Sequence, residues 1–293
     1  MAEAKIGIIG GSGLYKMEDM GEIEEVKITT PFGEPSDVII LGDLEGMRVA
    51  FLPRHGKGHC ISPGELPVKA NIYALKFLGV ERIISVSAVG SLKEEVQPLD
   101  LVVPEQLIDC TQGRDSTFFT NGIVAHIAFA EPFCPVLSQV LFEAATEAGA
   151  KVHKGGIYLA IEGPQFSTKA ESQLYRAWGA DVIGMTALPE AKLAREAEIC
   201  YTTLAFVTDY DCWHPSYELV TTEMILTNLE KSVDTAKRIL KLTIPSIPQK
   251  RNCPCATALK NAIATSPEYV SDRAKEDLAP LIGKYLTKGQ NAS

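Results

Sequence analysis

Short apolar runs with strand character recur along the chain: KIGIIG, DVIILG, RVAFLP, RIISVSAV, LDLVVPEQLI, GIYLAIEG, DVIGM and YTTLAFVTDY. Stretches of helical periodicity separate the later ones. PVKANIYALKFLG is one. Another spans 135–149, where Val136, Leu137, Val140, Leu141, Ala144 and Ala148 recur at intervals of three and four until Gly149 closes the run. Further helices are predicted from Lys169 to Trp178, Pro189 to Glu198 and Thr221 to Leu242. Strand and helix alternate with no Pro-, Gly- or Ser-rich linker before residue 245. The pattern predicts one α/β domain, a central mixed, twisted sheet with helices on both sides. From Pro245 onward a separate appendage is expected, ending in a helix through RAKEDLAPLIGKYL; the division is then 1–245 and a C-terminal extension, 246–293. No internal repeat is present.

Composition narrows the function classes. The 293 residues are 46% hydrophobic and 22% charged, enough for a sizeable core. Lys and Arg number 28 against 37 Asp and Glu, a formal net charge of −9. That balance argues against a nucleic-acid or membrane-surface binder, so an anionic ligand must be held by a local cluster of donors. No run approaches the ~18 apolar residues of a membrane span. The start, MAEAKIGIIGG, lacks the basic region and cleavage site of a signal peptide, and a cytoplasmic location is expected. Seven cysteines, at 60, 110, 134, 200, 212, 253 and 255, are scattered and odd in number, unlike a secreted disulfide scaffold. Their spacing shows no metal-ligand cluster, and CPC at 253–255 reads as two thiols in a loop-like tail.

The first stretch with chemical content is GIIGGSGLY, residues 7–15, a strand running into Gly10, Gly11, Ser12 and Gly13. A dinucleotide fold needs a third glycine and a following helix, and a P-loop needs Gly-Lys-Ser/Thr; neither is here. A plain strand-end turn and a free-anion loop stay open on the glycines alone. DVIILGDLEGMRVAFLPRHG predicts a hairpin that delivers Arg54, with its planar fork of donors, and His55. SVSAVGSL puts Ser87, Ala88 and Gly90 at another strand end, where open α/β sheets bind ligands. IEGPQFSTKAE places Phe166 and Ser167 on a turn, and ADVIGMTALPE ends a strand with Met185 and Thr186. FVTDYDCW ends the next with Asp209 and Asp211. The apolar run before Asp209 predicts a buried edge, where desolvation would raise its pKa and suit it to proton donation.

Together IGIIGGSGL, TPFGEPSD, RHGKGH, ANIYALK, GSLKEEVQPLD, AEPFCP, IEGPQFSTKAES, WGADVIGMT, AREAEICY and TDYDCW closely resemble the methylthioadenosine phosphorylases, within the trimeric branch of the purine nucleoside phosphorylase superfamily. These segments run from residue 5 to about 245 in family order. The resemblance implies that the anion is free phosphate, a co-substrate, and that no metal or organic cofactor takes part. It assigns Ser12, Arg54, His55, Ser87, Ala88 and Thr186 to phosphate, Met185 to the ribose, and Phe166 to stacking on the base. The run Asp209, Tyr210, Asp211 falls on the purine-binding positions, with Asp209 and Asp211 as the acid groups. His126 matches a residue that reaches a neighbouring subunit's site, so a homotrimer is implied. Relatives acting on inosine and guanosine carry Asn in place of Asp209 and Glu in place of Ser167, which favours a 6-amino purine here. Thr222 stands where valine is common and faces the 5′ group, which leaves some adenosine cleavage open; Gly184 stands where Asn is common. Some thermophilic relatives carry disulfides, so Cys253–Cys255 and Cys134–Cys200 are candidate pairs. The alternatives are a broad-specificity purine nucleoside phosphorylase and a non-catalytic nucleoside-binding protein on the same fold.

Overall fold

The two faces of one sheet account for most of the architecture. In the computed structural model, which describes residues 4–11, 20–215 and 221–286, β1 (Ile6–Gly10) and β4 (Met47–Pro53) send alternate side chains to opposite sides. Ile9, Ala50 and Leu52 join one apolar cluster, while Ile8, Val49 and Phe51 join another. The same alternation divides β5 (Arg82–Ser91) and β11 (Cys200–Asp209). All ten residues of β11 are buried, as a strand covered on both faces requires. Helices α1 (Val68–Phe77) and α4 (Ala187–Glu196) cover the first face; α2 (Pro135–Glu147) and α5 (Thr222–Ser246) cover the second, while α3 (Lys169–Ala177) packs Tyr175 into a third cluster with Leu159 and Ile183.

The sheet forks at β5. Its first four residues pair in parallel with β1. Along its other edge, from Arg82 to Gly90, it pairs in parallel with β11. Where β1 stops, β10 (Val182–Gly184) runs antiparallel to Gly90 and Ser91 and leads to β9 (Ile157–Ile161) and β7 (Gln106–Cys110). Beyond β11 lie β6 (Leu101–Val103) and β8 (Val152–Lys154). At the far edge β3 (Ile39–Leu44) and β4 form the expected hairpin through Glu45 and Gly46, both at positive φ, and β2 (Gly21–Val26) completes the sheet. The sheet is mixed, as the sequence pattern predicts.

Two helical boundaries differ from the periodicity. α5 runs on through Pro245, because a proline in the last turn forfeits only one helical hydrogen bond. The terminal helix is split into α6 (Asp272–Asp277) and α7 (Ala279–Leu286), since Pro280 is admissible only in a first turn. Residues 246–286 also pack into the sheet's own cores. Leu259, Val270, Leu278, Leu281 and Ile282 join the cluster of α1 and α4, and Ile247 and Cys255 join that of α2 and α5. Arg82 donates to the carbonyls of Pro248 and Gln249, and the main chains at Val124 and His126 bond to those at Ala264 and Ala262.

Candidate active site

A cavity of about 350 Å³ opens where β4, β5, β10 and β11 end. Gly11, Arg54, His55, Ser87, Ala88, Phe166, Ser167, Met185, Thr186, Asp209, Asp211 and Thr222 all line it, so segments scattered over most of the chain meet at one place. Ser12 lies outside the described residues.

At one end, Arg54 follows the edge of β4 into the sheet and is 2% exposed. Its Nε donates to Glu190 Oε1 at 2.6 Å, and its Nη2 to Glu190 Oε2 at 3.2 Å and Ser85 Oγ at 2.7 Å. Nη1 donates to the Val86 carbonyl at 2.8 Å. A guanidinium has five N–H groups, so among the described residues one Nη1 hydrogen is left for a ligand. Burial would weaken the charge, but the Glu190 carboxylate more than offsets it and the pKa of Arg54 is raised. Most of the fork that the sequence offers to an anion is thus committed to a buried carboxylate, because a fully desolvated cation needs its counter-charge. Tyr201 and Ser85 hydroxyls donate to the same carboxylate at 2.9 and 3.1 Å.

His55 stands beside it. Desolvation, then the charge of Arg54, lowers its pKa to about 4, so the ring is neutral near pH 7. Nδ1 donates to the Ile61 carbonyl at 2.9 Å, which leaves Nε2 as an acceptor. A neutral His55 therefore suits a protonated phosphate oxygen, one that can donate. Ser87 Oγ lies 3.2 Å from Thr186 Oγ1 and 3.3 Å from the Tyr158 hydroxyl, a chain of donors that can rotate toward an anion. A Cβ at Gly184 would stand 2.0 Å from that Tyr158 hydroxyl. Tyr158 occupies the space a larger residue at 184 would need.

At the other end, β11 finishes on Asp209, 4% exposed, followed by Asp211, 6% exposed and at φ +50°. Desolvation raises the pKa of both carboxyls; hydrogen bonds from Thr208 and from the Asp211 N–H oppose it at Asp209, and the nearby polar groups of Ser172 and Cys212 oppose it at Asp211. The Asp211 N–H donates to Asp209 Oδ1 at 2.8 Å, and Thr208 Oγ1 bonds to Oδ2 at 2.6 Å. A Cβ at Gly90 would lie 2.9 Å from Asp209 Oδ1 and 3.1 Å from Ile183 Cγ2, so the missing side chain lets the carboxyl sit against β5. Ser167 Oγ is buried without a partner among the described residues, which suits it to a ligand. Phe166, 42% exposed, forms part of the rim. The far wall is α5, where Ile225, Leu226, Leu229 and Val233 follow Thr222.

Two expected residues do not join the lining. Tyr210 is buried elsewhere, with its hydroxyl donating to the Glu94 carbonyl at 3.1 Å and its ring stacked on His214. His126 is exposed and held through its main chain to Ala262. Residues without a sequence signal do join the site. Glu190 and Tyr158 are two, and Arg114 is another. Arg114 donates to the carbonyls of Met185 at 2.6 Å and Leu188 at 2.8 Å and to the Glu162 carboxylate at 3.0 Å. It fastens the end of β9 to the end of β10. Among the described residues the one group of side chains placed to hold a metal ion is Cys134, Cys200, Cys253 and Cys255, none of which lines the cavity. That is a correction to the sequence spacing, since the four come from three distant segments.

One cavity thus carries polar turns and a buried cation at one end and two desolvated acids at the other. It can hold an anion and supply a proton some distance away. Residues 5–245 match the family model described as the phosphorylase superfamily. An S-methyl-5′-thioadenosine phosphorylase of Chloroflexus aurantiacus is 55% identical over 286 residues, covering 97% of this chain and 99% of its own. The crystal structure of a methylthioadenosine phosphorylase from an antarctic soil metagenomic library is 51% identical, with a TM-score of 0.92 over 96% of this chain and 99% of its own. A Schistosoma mansoni adenosine/methylthioadenosine phosphorylase mutant, in complex with methylthioadenosine, is 36% identical, with a TM-score of 0.82 over 88% and 96% of the two chains.

Proposed function

The chain belongs to the phosphorylase superfamily, and from that premise we infer that it cleaves S-methyl-5′-thioadenosine with inorganic phosphate, giving adenine and 5-methylthioribose 1-phosphate. The observation that carries the reading is the two-ended cavity. Arg54 sits on the carbonyl of Val86, and Asp209 lies against Gly90, four residues further along β5. At ~3.3 Å per residue the two ends are about 13 Å apart, room for phosphate, pentose and purine in a row.

As the glycosidic bond breaks, the sugar takes on oxocarbenium character and the purine gathers negative charge. Phosphate held by Arg54, His55, Ser87, Ala88 and Thr186, together with Ser12, stabilises the cation and attacks the anomeric carbon. Met185 lies against the ribose and Phe166 against the base. Asp209, whose carboxyl burial shifts toward the protonated form, donates to the imidazole-ring nitrogen of the leaving purine. Asp211 assists toward the exocyclic amine. The apolar wall of α5 suits a methylthio group, and the Thr222 hydroxyl at its start tolerates a 5′-hydroxyl, so slower adenosine cleavage accompanies the main activity.

No organic cofactor is required; phosphate is the second substrate. A homotrimer in which His126 reaches a neighbour's cavity accounts for its exposure outside its own. No helix among the described residues is long and apolar enough to cross a membrane. The seven free thiols favour a reducing, cytoplasmic setting. Turnover of methylthioadenosine, followed by adenine release, should stop in phosphate-free buffer and return on adding phosphate. Equal rates in both buffers would replace phosphorolysis with hydrolysis.

A further inference from the structure

Outside the cavity, four sulfurs converge. Cys134 caps the N-terminus of α2, Cys200 opens β11, and Cys253 and Cys255 flank Pro254 in the C-terminal segment. Their Sγ atoms all lie within 4.8 Å of one another, and all four are free thiols. Cys134, Cys200 and Cys255 are at most 2% exposed, and Cys253 is partly buried. Cys200 and Cys253, 3.3 Å apart, join one expected disulfide pair to the other, at a distance beyond the ~2.05 Å of a bonded S–S. Isolated buried cysteines behave as small hydrophobes. Four that meet at one point from three segments are a ligand set.

We propose that Cys134, Cys200, Cys253 and Cys255 bind one zinc ion in a closed, structural tetrathiolate site. Zinc takes four thiolates at about 2.3 Å in a tetrahedron, whose edges are then about 3.8 Å. The sulfurs already sit near that spacing and need to move by about an ångström or less to reach it. The donor set is soft and complete, with no position for water, which marks a structural rather than a catalytic ion. Cys134 stands at the positive end of a 13-residue helix, which favours its thiolate. Binding releases the remaining protons to water and leaves sulfur at the thiolate level, so no oxidant is involved. Partly exposed Cys253 gives the ion its way in. The gain is local. Between α5 and α6 the chain has only two short 3-10 turns, and the ion would tie that stretch to both α2 and β11.

Protein made in zinc-supplemented medium and purified reduced, without chelator, should carry about one zinc per chain by elemental analysis. Cobalt in its place should give the intense thiolate-to-cobalt absorption of a tetrathiolate site. With zinc bound, Cys60, Cys110 and Cys212 alone should be alkylated under native conditions, and chelation should open the other four. The Cys253→Ser, Cys255→Ser double variant should lose the ion, and Cys60→Ser should keep it. If the double variant does not fold, release of zinc from the unmodified protein by a thiol reagent, read with a chromophoric chelator, decides alone. Zinc below a tenth of an equivalent in fully reduced protein overturns the site. So does finding disulfides among the four in freshly isolated protein alkylated under denaturing, non-reducing conditions.

Discussion

Asp209 is where the physics of a single side chain is most exposed. Oδ1 accepts from the Asp211 N–H and Oδ2 from the Thr208 hydroxyl, which can turn instead to the Val89 carbonyl at 3.2 Å and so free Oδ2 to carry the proton that goes to the purine. Asn at 209 reproduces that arrangement, its amide donating where the acid did. It cannot deliver a proton. Asp209→Asn should therefore lower methylthioadenosine phosphorolysis by about 100- to 10,000-fold, while inosine cleavage holds or rises, most visibly with Ser167→Glu added. Equal losses on both substrates would move the base-reading role to Asp211. Stability supplies a second readout. Burial raises the folded pKa of Asp209, so its stabilising contribution is full below the unfolded value near 3.8 and is lost as pH rises through the folded one. The Asn variant lacks that decline, and its melting temperature should gain on the parent as pH increases. Asp209 was legible in the sequence because an apolar run delivers it to a strand end. Glu190 was not. It lies in PEAKLAREAE, which reads as a solvated helix face, and only the sheet's geometry reveals that its partner is Arg54.

Among the elements, β5 does most to shape the site. It pairs with three strands, touches Arg54 through Val86 and Ser85, and makes room for Asp209 through Gly90. Gly90→Ala puts a methyl group 2.9 Å from Asp209 Oδ1 and 3.3 Å from the Asp211 main-chain nitrogen. The carboxyl has to yield. Methylthioadenosine turnover should drop by about tenfold or more, since a misplacement near 1 Å costs ~100-fold at a reacting centre. The apparent affinity for phosphate, bound at the other end of the strand, should change little. Parallel loss of phosphate affinity would mean that the whole strand has shifted. The long strands and helices were legible because burial enforces their periodicity over ten residues or more. Even β10, with three residues, is legible as the strand run DVIGM, whereas the split between α6 and α7 turns on one proline. Arg114 fastens two of these elements but sits in a polar loop, where nothing in the local pattern distinguishes it from a solvated arginine.

For the molecule as a whole, the sequence pattern predicts a two-layered cover over one sheet, and the structure adds that residues 247–286 are part of that cover. Their apolar positions are too widely spaced to reveal by periodicity which face they join. The remaining assembly question is testable. Light scattering should give three times the 31.7 kDa chain mass, and His126→Ala should weaken nucleoside binding without changing that mass. A fully active monomer would contradict the shared site. Evolution of this enzyme is constrained in a particular direction by β5. Both ends of the cavity hang from one extended run of backbone, so the gap between them has the stiffness of a sheet, and no side-chain replacement lengthens it. Base preference is set at one end and 5′-group preference on the α5 wall, so the two can drift independently. Selection for a nucleoside with one more atom between sugar and base should yield no winners from point substitutions. It would require an insertion that shears the register of the whole sheet.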